Sequence, residues 1–284
     1  MSDSRIVVGV DGSDPAIGAL DWAADLAAAT RATLAAVLVT DPLWSTSLDD
    51  PRRTLERLVR GVPPAVRDGI ELEVRSGDLA EELVAAARGD LLVIGTHKTG
   101  FLRGRVLGSR TLRIASLALG EVAIVPHDPI LARRGIVVGL ESHHDPGGPV
   151  LAAARHAERL GEELVIVHAL EGPPAYLSAP SGSADVDPAQ IAVASAAHLV
   201  AERHPGVPVR VRVSRRRPAE AFLDASRAAR LLVVGATPDE RSVAFAGGSV
   251  HDVILNVNAP LLVVPTPSVA VRSHAVENLG VGAA

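Results

Sequence analysis

Cysteine is absent from this chain of 284 residues, and aromatic residues make up only 2% of it. The absence of cysteine excludes disulfide bonds and thiol chemistry, and it suits a reducing compartment. The scarcity of aromatic side chains leaves no stacking platform for single-stranded nucleic acid. The net charge of −5 also argues against nonspecific binding to nucleic acid, which favours a strongly basic face.

Membrane spans and export signals are missing as well. No apolar run reaches the roughly 20 residues that are needed to cross a bilayer. The opening MSDSRIVVGVDGS lacks the charged and apolar regions of a signal peptide. We therefore expect a cytoplasmic protein that binds neither membranes nor nucleic acid.

A long internal repeat organises the chain. The segment LLVIGTHKTGFLRGRVLGSRTL at 91–112 has a counterpart in LLVVGATPDERSVAFAGGSVHDV at 231–253. The glycine that ends the first apolar run, Gly95, corresponds to Gly235, 140 residues later. A repeat of domain length indicates duplication. We predict one domain at residues 1–128, a second at 133–267 and a loose polar tail at 268–284.

Each half alternates apolar strand-like runs with amphipathic helical patterns. Strands are expected at 5–10, 33–39, 70–75, 91–95 and 122–125, and again at 135–140, 163–168, 207–213, 231–235 and 261–264. Helices are expected at 16–30, 52–60, 78–88, 109–119, 149–160, 188–203, 218–230 and 249–256, the first of them capped by Asp14. Such alternation predicts an α/β fold of two tandem, doubly wound, Rossmann-like parallel sheets of five strands each.

The basic loop of the first repeat has the features of a phosphate site. It follows the strand that ends at Gly95 and carries Lys98, Arg103 and Arg105, and Gly108 precedes the next helix. The free N–H groups and the positive dipole end of a helix attract anions. Ligands of parallel sheets bind at the carboxyl ends of strands, near the point where the strand order reverses. We therefore expect the segments at 11–13 and 96–109 to converge on one site.

Two motifs carry a resemblance to a known family. The opening IVVGVDGSDPAIGALDWAADLA is one, and the other is Gly95, two residues, Lys98, nine residues, then Gly108-Ser109. The chain resembles the universal stress protein family in its tandem form, from Arg5 to Pro265. The family's motif has glycine at the position of Lys98, so the match holds at every place except that one.

The resemblance implies a stress-response binding module for an adenine nucleotide such as ATP, with or without Mg²⁺, that has no dedicated catalysis and acts through an unidentified protein partner. Asp11 and Val39 would face the adenine, with Gly9 and Val10 shaping its pocket. The ribose and phosphates would contact Gly95, Gly108, Ser109, Arg110 and Thr111. The resemblance further implies that the two halves pair their fifth strands as a pseudo-dimer, and two chains could associate as a homodimer.

Several alternatives remain open at this point. Lys98, the only lysine of the chain, could bind phosphate, or it could be a solvated residue that marks a lost glycine. Asp11 could be simply a turn former. The protein could accordingly be a nucleotide-free interaction scaffold. A weak ATP-hydrolysing enzyme is a further alternative, although the SGGxDS-type loop of the related α-hydrolases is replaced here by DGSDP.

The second repeat is a poorer phosphate site. Its loop carries Pro238, which lacks an N–H group, and the acidic residues Asp239 and Glu240. A carboxylate about 4 Å from a phosphate charge costs roughly 4 kcal/mol at an effective dielectric constant near 20. Glu141 occupies the position of Asp11. We predict that nucleotide binds mainly in the first half.

Overall fold

The computed structural model describes residues 5–40, 50–96, 109–127, 133–141, 147–169, 188–237 and 249–266. The predicted tail at 268–284 and the loop residues Pro238, Asp239 and Glu240 lie outside this part of the chain.

The first half alternates strands and helices as predicted. Its strands are β1 (Arg5–Gly9), β2 (Thr33–Thr40), β3 (Glu71–Ser76), β4 (Leu91–Thr96) and β5 (Val122–Pro126). Its helices are α1 (Asp14–Thr30), α2 (Pro51–Leu58), α3 (Pro64–Arg67), α4 (Leu79–Ala87) and α5 (Ser109–Leu117), with a 3₁₀ turn at Val59–Gly61.

The second half repeats this order. Its strands are β6 (Ile136–Leu140), β7 (Leu164–Ala169), β8 (Val209–Ser214), β9 (Leu231–Ala236) and β10 (Leu261–Pro265). Its helices are α6 (Gly147–Leu160), α7 (Pro188–Arg203), α8 (Pro218–Ala225) and α9 (Ser249–Leu255).

All these strands belong to one ten-stranded sheet with the order β3-β2-β1-β4-β5-β10-β9-β6-β7-β8. Pairing within each half is parallel, whereas β5 and β10 pair antiparallel, with Ile124 opposite Leu261 and Val122 opposite Val263. The predicted pair of five-stranded parallel sheets is confirmed, and so is the predicted pairing of the fifth strands. The two five-stranded sheets therefore form one continuous sheet.

The sheet is covered on both faces, which explains its near-continuous apolar strands. Successive side chains of a strand point to opposite faces. Ile6 and Val8 thus pack into a core with α1 and α6, whereas Val7 packs into a second core with α4 and α5. None of the helices in the described segments is both long and apolar enough to span a membrane.

Three differences from the sequence-based expectation concern helices. Helix α1 is capped by Ser13, whose Oγ accepts from the N–H group of Ala16, and not by Asp14. The short helix α3 was not predicted. Helix α8 ends at Ala225 instead of residue 230, and the C-cap residue Ser226 is buried. Its Oγ lies 3.3 Å from Asn258 Oδ1, a contact too distant in sequence to be predicted.

A carboxylate links the two halves beside the β5·β10 pair. Glu121, just before β5, forms an ion pair with Arg155 of α6, and its Oε2 lies 3.8 Å from Nε2 of the buried His156. Burial raises the pKa of Glu121, but the contact with His156 and the charge of Arg155 outweigh burial, so the pKa is lowered. The carboxylate is therefore held ionised between the halves.

Replacing Glu121 by Gln should lower the free energy of unfolding by roughly 1–3 kcal/mol at pH 7, because it removes a charge-assisted contact. The pKa of Glu121 lies below its ordinary value of 4.5 in the folded protein. Its contribution is thus complete above the unfolded pKa and is lost as the pH falls through the folded pKa. Urea unfolding between about pH 7 and pH 3 should show the variant's deficit shrinking in acid.

The exposed Glu202, which contacts His198 at 3.2 Å, offers a matched control. Glu202→Gln should change stability by less than about 0.5 kcal/mol at any of these pH values. A deficit of Glu121→Gln that is constant with pH would contradict the linking role of its charge.

Candidate functional site

A crevice opens where the strand order of the first half reverses. From β1 the chain crosses to β2 on one side, whereas β4 lies on the other side of β1 and leads to β5. The carboxyl ends of β1 and β4 therefore stand side by side with no crossover helix between them. Ser13, which follows β1, and Thr96, which ends β4, line the same cavity. The predicted convergence is thus confirmed for the described part of the two segments.

The cavity has a volume of about 300 Å³. Its walls come from both sheet ends and from the helices α1, α4 and α5. Its larger apolar lining residues are Val37, Val39, Leu79, Leu83, Ile94 and Ile114, and its polar lining residues are Asp11, Ser13, Thr96, Arg110 and Thr111. The apolar lining suits a flat apolar group.

Most of the predicted site residues meet at this cavity. Those that line it are Gly9, Val10, Asp11, Val39, Gly95, Arg110 and Thr111. Ser109 is the first residue of α5. Lys98 and Gly108 lie outside the described residues, so the question of Lys98 stays a prediction.

Sequence reasoning missed the wall that α4 and α5 contribute. Leu83 and Ile114 are buried and line the cavity. Both belong to regular apolar patterns of helices, which predict burial but not which buried residue borders a cavity. Ser13 also lines the cavity; it belongs to the predicted segment at 11–13, although it was not singled out as a site residue.

Asp11 forms a turn with one of its two carboxylate oxygens. Oδ1 accepts from the N–H group of Ser13 at 2.9 Å and from its Oγ at 2.6 Å. Among the described residues, no group donates to Oδ2. Asp11 therefore does form a turn, and it also lines the cavity.

Gly95 is required by the packing of α1 against β4. A Cβ atom at this position would lie 2.2 Å from the carbonyl oxygen of Pro15. Gly235 has the same role in the second half, where a Cβ would lie 2.7 Å from Cγ of Pro149. Gly95, which was predicted to contact phosphate, thus allows the start of α1 to pack closely against β4.

An ion-pair cluster fixes α5 relative to α4. Arg113 of α5 donates to Asp78 Oδ2 at 2.7 Å and to Glu81 Oε1 at 3.1 Å. Asp78 also caps α4, and the hydrogen bond from the backbone of Glu81, followed by that from Arg113, lowers its pKa. The cluster holds the first turn of α5, with Arg110 and Thr111, at the mouth of the cavity.

Arg110 is the cation at this mouth. It is exposed, and it has no ion pair within the described segments. Helix α5 has no acidic residue in its first turn, so the positive end of its dipole is not neutralised there. The mouth can thus attract an anion.

The second half fills the corresponding space with an aromatic ring. In the first half Leu83 packs over Gly9, with its Cδ1 3.0 Å from a Cβ built at that glycine. In the second half Phe222, which is 1% exposed, packs over Gly139 with its ring at 2.8 Å from the corresponding atom. The same framework therefore holds a cavity in one half and a phenyl ring in the other.

A cation is also lost in the second half. Ser249 begins α9 as Ser109 begins α5, and the residue that follows is Val250 instead of Arg110. Val250 is 2% exposed and belongs to the core. Among the described residues, the second half thus has Phe222 and Val250 at the places of Leu83 and Arg110.

Comparison with known proteins gives the same family for both halves. The model of the universal stress protein family matches residues 4–126 and 133–265. A universal stress protein of Mycolicibacterium smegmatis is 26% identical over 285 residues, which cover 91% of this chain and 96% of that protein. The likeness thus extends over both halves.

Solved structures show the same fold. The crystal structure of a universal stress protein from Archaeoglobus fulgidus DSM 4304 covers 93% of this chain and 97% of its own, with a TM-score of 0.69 and 17% identity. A universal stress protein in complex with cAMP is 30% identical and covers 44% of this chain and 98% of its own, with a TM-score of 0.37. The first comparison supports the complete tandem fold, and the second concerns a single half.

Gly95→Ala should lower the free energy of unfolding by about 1–3 kcal/mol, because the new methyl group has to displace the start of α1. Gly148→Ala is the matched control, since a Cβ at this helical position meets nothing within 4 Å. It should be neutral or stabilise by up to about 1 kcal/mol. Chemical denaturation compares the two variants, and equal effects would contradict the packing role of Gly95.

Proposed function

Because the chain belongs to the universal stress protein family, we propose that its first half binds an adenine nucleotide such as ATP in the cavity between the ends of β1 and β4. The single observation that carries this proposal is the combination of an apolar cavity with a cationic helix terminus at its mouth. The second half has the buried Phe222 and Val250 at the corresponding described positions, and in this proposal it serves folding and pairing.

The cavity suits the base of the nucleotide. Its volume of about 300 Å³ lies at the lower end of the range for small-molecule sites, and most of its wall is aliphatic. The base lies between Val39 and the side chains of α4 and α5, with Gly9 and Val10 as the floor. The free oxygen of Asp11 accepts a hydrogen bond from the amino group of adenine.

The mouth of the cavity suits the ribose and the phosphates. Thr111 offers a hydroxyl group and Arg110 offers a positive charge, both in the first turn of α5. An anion there gains from the free N–H groups of the helix terminus as well. The proposed phosphate side is completed by Gly95, Lys98, Gly108 and Ser109. Mg²⁺ would bind here only as part of a complex with the nucleotide.

Binding, not turnover, is the proposed activity. The cavity of the first half combines aliphatic walls with one carboxylate, and Asp11 already uses one of its oxygens in a turn. Nucleotide occupancy would then stabilise the first half and change the surface that an unidentified protein partner meets.

Thermal unfolding with ATP and Mg²⁺ tests the proposal. A ligand that binds only the folded state stabilises it by about 2.7 kcal/mol at a concentration 100-fold above its Kd. Millimolar ATP should therefore raise the melting temperature by several degrees. An unchanged melting temperature would favour a nucleotide-free scaffold, and release of phosphate or pyrophosphate during the incubation would contradict the absence of catalysis.

A substitution copied from the second half should close the site. Leu83→Phe places in the cavity the type of ring that Phe222 contributes to the other half, and the cavity has room for it. We expect ATP affinity to fall at least about tenfold, because misfits as small as one methylene cost that much in a pocket. Titration calorimetry measures the change.

Phe222→Leu is the reciprocal control. It exchanges the same two residue types at the corresponding place in the second half and should leave ATP affinity unchanged, although it lowers stability by roughly 0.5–3 kcal/mol. If both substitutions weakened ATP binding equally, the assignment of the site to the first half would be wrong.

Arg110→Ala separates the phosphate side from the base side. An exposed charge pair contributes up to about 1 kcal/mol to the binding free energy, so its loss should lower ATP affinity by up to roughly fivefold. Adenosine affinity should change little, because adenosine has no phosphate. An equal loss for ATP and for adenosine would mean that Arg110 supports the cavity and does not contact phosphate.

A further inference from the structure

The sheet has two free edges, and they belong to different halves. The outermost strand of the first half is β3, and that of the second half is β8. Each pairs with one neighbour, β3 with β2 and β8 with β7. In the described part of the chain no strand covers the outer side of either. Uncovered edges of this kind can pair with a strand of another chain.

The two edges carry opposite charges. β3 reads ELEVRS, in which Glu71 and Glu73 outnumber Arg75 on the same face, and β8 reads VRVRVS, with Arg210 and Arg212. Both pairs of charges stand on the same face of the sheet. Glu73 is in register with Val37, and Arg212 with Val167, and these two valines belong to the same core.

The opposite face of both edges is apolar. On β3 this face carries Leu72 and Val74, and on β8 it carries Val209, Val211 and Val213. Three of these side chains are well exposed for valine, with 40% for Val74, 44% for Val211 and 48% for Val213. They account for three of the seven exposed large hydrophobic residues among those the structure describes. Each edge therefore offers one charged row and one apolar row.

The strand directions allow the edges to meet. The halves are joined by an antiparallel pair, so β3 and β8 run in opposite directions within one sheet. A second copy that continues the sheet therefore presents its β3 antiparallel to β8 of the first. The charged rows then fall on one face and the apolar rows on the other.

We propose that the β8 edge of one copy pairs with the β3 edge of a second copy and extends the sheet from chain to chain. In the favoured register Glu71 lies opposite Arg212 and Glu73 opposite Arg210. Leu72 then lies opposite Val211 on the other face. Cross-strand pairs of opposite charge and of apolar side chains both stabilise antiparallel sheets.

The charges also disfavour the symmetric contacts. Pairing two β8 edges would oppose arginines, and pairing two β3 edges would oppose glutamates in each register that pairs Glu71 with a residue of the facing strand; like charges directly opposite are unfavourable. The remaining contact uses two different surfaces, so it is heterologous and forms open chains unless its rotation closes a ring. This proposal is independent of nucleotide binding.

The contact has to compete with ion pairs inside the chain. Glu71 contacts Arg5 at 3.2 Å, Glu73 contacts Arg75 at 2.8 Å, and Arg210 contacts Glu163 at 3.1 Å. Arg212, by contrast, has no ion pair among the described residues and is exposed. With one short strand on each side, the association should be weak and sensitive to salt, since exposed charges are screened within about 3 Å at 1 M ionic strength.

Sedimentation of the full chain at low and high salt tests the proposal. At high protein concentration and low salt, the weight-average mass should exceed that of one chain by about twofold or more, and 1 M salt should reduce it strongly. Glu71→Lys/Glu73→Lys should abolish the association, and Arg210→Glu/Arg212→Glu should do the same. The chain that combines all four substitutions should associate again, because its edges are complementary once more.

Glu56→Lys/Glu202→Lys changes the net charge by the same amount as the first double variant, at exposed positions on helices α2 and α7 and not on the edge strands themselves, and it should associate like the wild type. Circular dichroism and melting temperature establish that each variant is folded. The proposal is overturned if the wild type stays a single chain at low salt. It is equally overturned if the association survives the edge reversals, or if the fourfold variant, folded, does not regain it.

Discussion

The antiparallel pair of β5 and β10 is the contact on which the rest of the molecule depends. It joins two parallel half-sheets, and its apolar strands would otherwise be exposed edges. The pairing places Glu121 beside α6 and leaves β3 and β8 as the outer strands of the sheet. Because the joint is antiparallel, the carboxyl ends of the strands in the two halves point in opposite directions. The candidate site of the first half therefore lies away from its counterpart in the second.

The two halves share the packing of their strands and helices, but they differ in the side chains that border the space over their first strands. The packing of a glycine at the end of a strand against a proline at the start of a helix occurs at Gly95 and again at Gly235. A Cβ would meet the backbone of Pro15 at Gly95 and the ring of Pro149 at Gly235, so close packing excludes a side chain at both positions. The space over the first strand of each half is not constrained in this way. It is open beside Leu83 and filled by the ring of Phe222.

The sequence predicts the framework well because the framework rests on local rules. Strands that are buried on both faces read as apolar runs, and helices show their periodicity, so order and strand pairing could be predicted. The end of α8 at Ala225 was not predicted, and the contact of the next residue, Ser226, with Asn258 joins residues 32 positions apart, which no local pattern specifies. The cap of α1 was misassigned by one residue, since Ser13 and Asp14 are both good caps.

The candidate site was only partly predictable for the same reason. Residues that directly follow strands, such as Asp11, are placed by topology, and the residues at the start of α5 are placed by the glycine motif. Leu83 reaches the cavity through the packing of α4, which no local pattern specifies. The contrast between the halves depends on this packing.

The most direct test of the account is the number of ATP molecules that one chain binds in a calorimetric titration. The open cavity of the first half and the filled space of the second predict one molecule per chain. Two molecules per chain, or none, would contradict this.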